Sequence, residues 1–290
     1  MKINIFVIIT TFFPSNLNLI NIKKICNQFN NILIFDNSCN DAVKKKLTSF
    51  FSDLKHVKII YSEENRGIGF AFNQAIKHIG FTYPWFILFD QDSIVSGSIK
   101  NHLNHYLIKN KFDILSLSYS EKKLSNKKTF GLDLYEIYPV KRSIISGMVI
   151  SSKVLKKIKF RENFYLDLVD HDFCYRAINS GFVMAKTRKD FIFHKVGDTQ
   201  INKFIFLKKK RLNHNIFRYY LMSRNKILFD KYNHGYLKLK TIYKLFKEVF
   251  LIIFFDTKKL KKLHAHFFGI KDGIFSKQYK LNKIKTIFTE

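Results

Sequence analysis

A chain of 290 residues with 47% hydrophobic and 16% aromatic content has ample material for a buried core, in one large or two small domains. Lysine and arginine number 51 against 22 acids, a net charge of +29, which points to an anionic partner: nucleic acid, a phosphorylated substrate or an anionic membrane surface. Three widely spaced cysteines (Cys26, Cys39 and Cys174) exclude a disulfide framework and fit a reducing compartment, and no apolar run approaches the roughly 20 residues that span a bilayer.

Residues 3–9 read as a first strand rather than a leader, because the run is short, rich in β-branched residues and lacks a small-residue cleavage site. Further strand-like runs at 32–35, 57–61 and 85–89 alternate with helix-compatible segments at 17–29, 43–54 and 69–79, the sequence form of a βαβ sheet. With three prolines and eleven glycines there is no Pro/Gly-rich linker, and no internal repeat is present. Near residue 200 the character changes. Residues 201–290 carry 22 basic and 5 acidic side chains among many aromatics, and helices with basic faces are expected there. The expected division is a catalytic domain over 1–200 and a basic, aromatic-rich helical region over 201–290.

The acids are placed as chemistry would need them. Five of the six residues before Asp90 are apolar, so this run should deliver Asp90, Gln91 and Asp92 to the exposed end of a buried strand. Alternation lets Asp90 and Asp92 turn toward one site, and two hard oxygen donors suit Mg²⁺ or Mn²⁺ carrying a diphosphate; a solvated turn is the competing reading. Phe35-Asp36-Asn37-Ser38 ends the second run with groups that can bond a base or ribose, or form an Asx-turn. Gly67 and Gly69 precede a helix and allow close backbone approach to a phosphate, with Asn65 and Arg66 as donors. Asp167, Asp170 and Asp172 crowd six positions, which costs repulsion unless a cation or a reaction uses them. Asp172 is set to pair with Arg176 four residues on, whereas Asp170 falls where a helix begins and can act as a general base. His194 follows an apolar run, where a structural role competes with a site role. His102, His105, His264 and His266 show no metal-site arrangement and are expected at the surface.

Taken in order, Val7-Ile-Ile-Thr-Thr-Phe-Phe-Pro14, FDNS, ENRGIGFAFNQA, FDQDS, SGMVI and YLDLVDHDFCYRA, closing with His194, resemble the inverting nucleotide-sugar glycosyltransferases of family 2, most closely the bacterial rhamnosyltransferase-like group. The likeness covers about residues 3–200 and continues into Arg218-Tyr-Tyr-Leu-Met-Ser-Arg-Asn225. It implies an α/β GT-A fold: a Rossmann-like, mixed and mainly parallel sheet flanked by helices, with a basic helical extension. It implies that Thr10, Thr11 and Pro14 border the nucleotide, that Asp36 contacts the base, and that Asn65, Arg66, Gly67 and Asn73 shape the nucleotide and sugar pocket. Asp90 and Gln91 would hold the donor, Asp92 and His194 the metal, and Asp170 would be the base, with Asp167, Asp172 and Arg176 at the acceptor side or in support. Two positions depart from the pattern: Val169 stands where many members have an acid, and the usual small residue beside Asn37 is met only by Ser38.

The implied reaction moves a sugar, rhamnose from dTDP-rhamnose, to a glycan in bacterial surface polysaccharide or lipopolysaccharide synthesis; a UDP-hexose (galactosyl or glucosyl) donor is the alternative within the family. Residues 204–211, 243–255 and 258–268 combine apolar faces with lysines, the composition of helices at an anionic interface, so a cytoplasmic enzyme peripheral to the inner face of the membrane and a lipid-linked acceptor are expected. A packed helical subdomain with a solvated basic face is the plainer reading. A non-catalytic nucleic-acid-binding protein would explain the charge but leave the ordered acids unused, so no nucleic acid partner is expected. The motifs leave the oligomeric state open.

Overall fold

Seven consecutive buried residues form β1 (Ile5–Thr11) at the centre of the sheet. A strand covered on both faces has no solvent side for polar residues, so it reads as an unbroken apolar run. The computed structural model describes residues 3–97, 99–109, 111–120, 135–193, 199–204, 207–212 and 214–275. β1 pairs in parallel with β2 (Ile32–Asp36) on one side and β4 (Trp85–Asp90) on the other, and β3 (Val57–Tyr61) lies beyond β2. The helices α1 (Asn16–Cys26), α2 (Asp41–Phe50) and α3 (Ile68–Ile79) connect these strands. Their starts are written in short polar residues. Ser15 and Asn18 form a capping box on α1, and the Asn40 side chain accepts from the Val43 amide at the head of α2.

Beyond β4 antiparallel pairs enter the sheet. β8 (Met148–Ser151) runs against β4, β6 (Ile114–Ser120) against β8, and β9 (Met184–Phe193) lies parallel to β6, with β5 (Ile94–Val95) and β7 (Ile137–Pro139) against β9. The order β3-β2-β1-β4-β8-β6-β9-β5, with β7 off this path, gives nine strands among the described residues. This is the mixed α/β sheet expected from the sequence. α4 (Ile99–Lys109), α5 (Ser152–Lys157), a short 3-10 turn (Glu162–Phe164) and α6 (Val169–Asn179) complete the half that holds the acids.

The chain divides into two compact units: residues up to 162 with 170–195, and 163–169 with those from 196 on. In the second, β10 (Thr199–Phe204) and β11 (Leu207–Leu212) form an antiparallel hairpin, followed by α7 (Ile216–His234), α8 (Leu239–Phe255) and α9 (Lys259–Phe275). Of the helix expected over 204–211, Phe204 instead ends β10 and residues 207–211 lie in β11. A lysine run carries neither a helical nor a strand period, so the ladder from Thr199↔Leu212 to Phe204↔Leu207 decides the matter.

α9 approaches α7 closely at two glycines. A Cβ at Gly269 would lie 2.3 Å from the Tyr220 carbonyl oxygen, and one at Gly273 would lie 2.9 Å from the Ile227 Cβ. The contact buries polar pairs: the Tyr220 hydroxyl donates to Asp272 at 2.9 Å, and Ser223 Oγ lies 2.6 Å from His266 Nδ1. Lys262 reaches Asp256 at 3.3 Å, and Asp256 also accepts from the Tyr219 hydroxyl. His266, expected at the surface, is fully buried against α7, and burial pushes its pKa down to about 4. His102 and His105 are also partly buried, the latter stacked on Tyr135 at 3.5 Å; His264 is exposed.

The segment 163–169 is held by α7. Arg224 donates to the Asn163 carbonyl at 2.8 Å, and the Asn225 amide donates to the carbonyls of Phe164 at 2.6 Å and Asp167 at 2.7 Å. Tyr232 accepts from the Asn163 side chain at 2.8 Å. Tyr165 and Leu168 take positive φ angles of 63° and 65°, strain of about 1 kcal/mol or more each that these contacts must hold.

Candidate active site

With β1 between β2 and β4, the connections leave it in opposite directions and open a crevice at the carboxyl ends of the strands, where α/β sheets bind ligands. Register sets Thr10 opposite Asp90 and Thr11 opposite Asp36 at this point. The Thr11 hydroxyl donates to Asp36 Oδ1 at 2.8 Å, the Ser38 hydroxyl to the same oxygen at 2.7 Å, and the Ser38 amide to Oδ2 at 3.2 Å. Ser38 in turn accepts from the Phe13 amide at 2.7 Å. Asp36 is 1% exposed, so its carboxylate ties the ends of β1 and β2 together. Pro14, on the same loop, accepts from Lys46 through its carbonyl at 3.1 Å. Asn37 donates to the Gly67 carbonyl at 3.2 Å.

The acidic turn after β4 is held from two sides. Ser93 Oγ donates to Asp90 Oδ1 at 2.6 Å and meets Ser146 Oγ in a short hydrogen bond. Gln91 accepts from the Phe12 amide at 2.7 Å. Asn18, in the first turn of α1, donates to the Gln91 carbonyl at 3.2 Å and to Asp92 Oδ1 at 2.9 Å. Asp92 itself is exposed. Next to Ser146, Gly147 has φ 76° and no room for a side chain, since a Cβ would sit 2.1 Å from Ile192 Cδ1.

At the head of α3, Asn65 Oδ1 accepts from the Gly67 amide at 3.0 Å, and Gly67 adopts φ 93°. Arg66 stacks over the Phe70 ring at 4.3 Å and pairs with Glu162 at 3.3 Å and Glu64 at 3.6 Å. Asn73 donates to the Phe160 carbonyl at 2.9 Å and to Glu162 at 3.0 Å, and accepts from the Phe160 amide at 3.0 Å. Its amide is committed to holding residues 160–162 against α3.

Asp170 stands in the first turn of α6, where Oδ1 accepts from the His171 amide at 2.7 Å. Burial pushes its carboxyl above the usual carboxylate range; the His171 side chain and backbone donors oppose this, and the charge of Asp90 adds to it. The charge of Asp90 thus reaches Asp170, 80 positions away in the chain. Asp172 is different in kind. It is fully buried between Arg161 at 2.7 Å and Arg176 at 2.8 Å, and Arg176 also caps the Lys159 carbonyl at 2.8 Å. Asp172 and Arg176 thus form the i,i+4 pair, and Arg161 joins it. Asp167 lies in the other unit and accepts from Arg218 at 3.1 Å. His194 lies outside the described residues.

No three His, Cys, Asp or Glu side chains gather into a metal-binding cluster among the described residues. Half-buried Asp90 at the end of β4 and exposed Asp92 just beyond it do offer hard oxygen donors, so the donor set fits Mg²⁺ or Mn²⁺ completed by diphosphate oxygens. The sequence reading missed Asn18, Ser93, Ser146, Arg161 and Glu162. Only Asn18 carried a signal, its capping-box spacing from Ser15.

The glycosyl transferase family 2 model matches residues 6–179. The chain belongs to glycosyl transferase family 2. This transferase is 27% identical to the dTDP-rhamnosyl transferase RfbF of Shigella flexneri over 297 aligned positions, covering 94% of this chain and 96% of the relative. Among solved structures it is similar to the mannosyltransferase PcManGT from Pyrobaculum calidifontis in complex with GDP-Man and Mn²⁺, with TM-score 0.59 and 11% identity over 99% of this chain and 79% of that one. It is also similar to TarS 1–349 of S. aureus in complex with UDP-GlcNAc, with TM-score 0.53 and 11% identity over 96% of this chain and 93% of that one. These likenesses establish the fold as that of GT-A glycosyltransferases.

Proposed function

We propose that the chain is a metal-dependent, inverting transferase that moves rhamnose from dTDP-rhamnose to a lipid-linked glycan in surface polysaccharide or lipopolysaccharide synthesis, working at the inner face of the cell membrane. The observation that supports the chemistry is the placement of Asp170 in the first turn of α6, within electrostatic reach of Asp90 at the end of β4. The donor assignment is supported by the near full-length likeness to a dTDP-rhamnosyl transferase.

In the proposed reaction Asp170 accepts the proton of the acceptor hydroxyl as that oxygen forms its bond to the anomeric carbon, and the bond from that carbon to the diphosphate oxygen breaks in the same displacement. A single displacement inverts the anomeric centre. A raised carboxyl pKa makes Asp170 a stronger base than a solvated aspartate, and the His171 amide fixes one of its oxygens. Asp90 and Asp92 would hold the divalent ion, which when bound neutralises charge on the departing diphosphate. Ser93 and Asn18 fix the two carboxylates, while Thr10 and the Asp36 cluster form the floor of the crevice.

A donor panel tests this reading: dTDP-rhamnose, UDP-galactose and UDP-glucose, each with Mg²⁺ or Mn²⁺, followed by release of the nucleoside diphosphate. Turnover of dTDP-rhamnose alone is expected. Preference for a UDP-hexose overturns the donor, and metal-independent turnover overturns the role of the ion.

A further inference from the structure

Helix α8 leaves bare a face that amphipathic helices ordinarily cover. Leu245, Ile252 and Phe255 are buried on its inner side. Leu239, Tyr243, Phe246, Phe250 and Ile253 are 84, 64, 72, 54 and 41% exposed. Their spacing alternates between four and three residues, which brings all five onto one stripe, about 21 Å long at 1.5 Å per residue. Stripes of this kind on a folded protein mark contact with a partner or a membrane.

The charges around the stripe choose between them. Lys240, Lys244 and Lys247 are exposed and each follows a stripe residue by one position, so a row of ammonium groups runs along one flank. Glu248, the acid within the helix, acts on the buried His266 of α9, on the inner side. No helix among the described residues is long and apolar enough to cross a membrane, so the stripe is not part of a span.

We propose that this face of α8 seats the transferase on an anionic bilayer, with the helix axis in the membrane plane, the aromatic and aliphatic side chains in the boundary between headgroups and acyl chains, and the lysine row against lipid phosphates. The inference deepens the lipid-linked acceptor reading above and rests on it for its purpose. A second copy of the chain is the rival occupant, but antiparallel two-fold pairing of α8 would set each lysine row against its own image in a chain of charge +29. Anionic lipid neutralises that row instead.

Sedimentation of the full chain with phosphatidylcholine vesicles, with and without phosphatidylglycerol, tests the proposal at low salt. Binding is expected only with phosphatidylglycerol. Replacing Lys240, Lys244 and Lys247 with Gln should weaken it about 100-fold, at roughly fivefold per lysine. Phe246→Ser with Phe250→Ser should weaken it at least about tenfold, and both variants should keep the wild-type circular dichroism because every changed residue is exposed. In a Phe250→Trp variant, indole emission should shift to the blue on vesicle addition.

Vesicle binding that neither set of substitutions alters would overturn the proposal, as would a wild-type dimer that the double Phe variant dissociates without any vesicle binding. Donor turnover read on the same samples separates the two claims. Wild-type turnover without vesicle binding sinks the membrane face alone, and vesicle binding without turnover of any donor sinks the transferase reading alone.

Discussion

Asp170 and Asp172 are two positions apart on one helix, and their surroundings differ in kind. Asp172→Asn keeps the side-chain shape and removes the charge that faces two guanidinium groups at 2.7 and 2.8 Å. Removing one partner of a buried ion pair costs about 3–5 kcal/mol, because the charge left behind has lost its counter-ion. Arg161 and Arg176 retain 30 and 20% side-chain exposure, so water offsets part of the loss and the low end, about 3 kcal/mol, is expected. For a protein of this size that is a fall in Tm of about 6–12 °C. Thermal unfolding by circular dichroism reads it, with donor turnover measured well below the transition, where the variant should keep at least a tenth of wild-type kcat. A variant that unfolds within 2 °C of wild type (about half a kcal/mol) but has lost turnover would refute the assignment and return Asp172 to the chemistry.

Asp170→Asn should bind donor normally by calorimetry and lose about 10²- to 10⁴-fold in kcat, with near-normal transfer removing Asp170 from the mechanism. Its pKa is raised on folding, so the folded state favours the protonated acid and the ionised form carries a penalty that is absent below about pH 3.8 and complete above the folded-state pKa. Asp170→Asn should therefore raise Tm at neutral pH and have no such effect in strong acid, and wild-type kcat should fall as pH drops through a pKa above the ordinary aspartate value. Asn18→Ala removes the donor to Asp92 and the Gln91 carbonyl, and should weaken Mn²⁺ binding in the presence of nucleoside diphosphate about tenfold by calorimetry, a charge-assisted bond being worth about 1.5–3 kcal/mol. Gly147→Ala forces a Cβ onto Ile192 at positive φ and should cost about 1–3 kcal/mol in denaturant unfolding.

The parallel half of the sheet is legible because β1, β2 and the middle of β4 are buried and read as apolar runs, which differ from the strands by one or two residues; half-buried β3, beyond β2, is matched at both ends by residues 57–61. β6 is harder to read, since Ile114-Leu-Ser-Leu-Ser-Tyr-Ser mixes a strand period with residues common in loops. The 199–212 hairpin failed to declare itself because lysine is compatible with either period. At the site, Asp90, Asp92 and Asp170 are visible as acids at element ends. Ser146 and Glu162 are not, because their partners lie 53 to 96 positions away, and Ser93 is tied to Ser146 in the same way besides its local bond to Asp90. His266 misled for the same reason: a histidine on a lysine-rich helix looks solvated until α7 covers it.

The seven residues from Asn163 to Val169 belong with the C-terminal unit, although the chain on both sides of them belongs to the other. Their carbonyls are bonded by Arg224 and Asn225 of α7, and Asp170 follows immediately. The helices after residue 200 are therefore no appendage to be trimmed at a single cut. A fragment ending there would strand three hydrogen-bonded carbonyls just upstream of Asp170, the proposed general base, and a graft that exchanged these helices between relatives would have to carry the mid-chain segment with them.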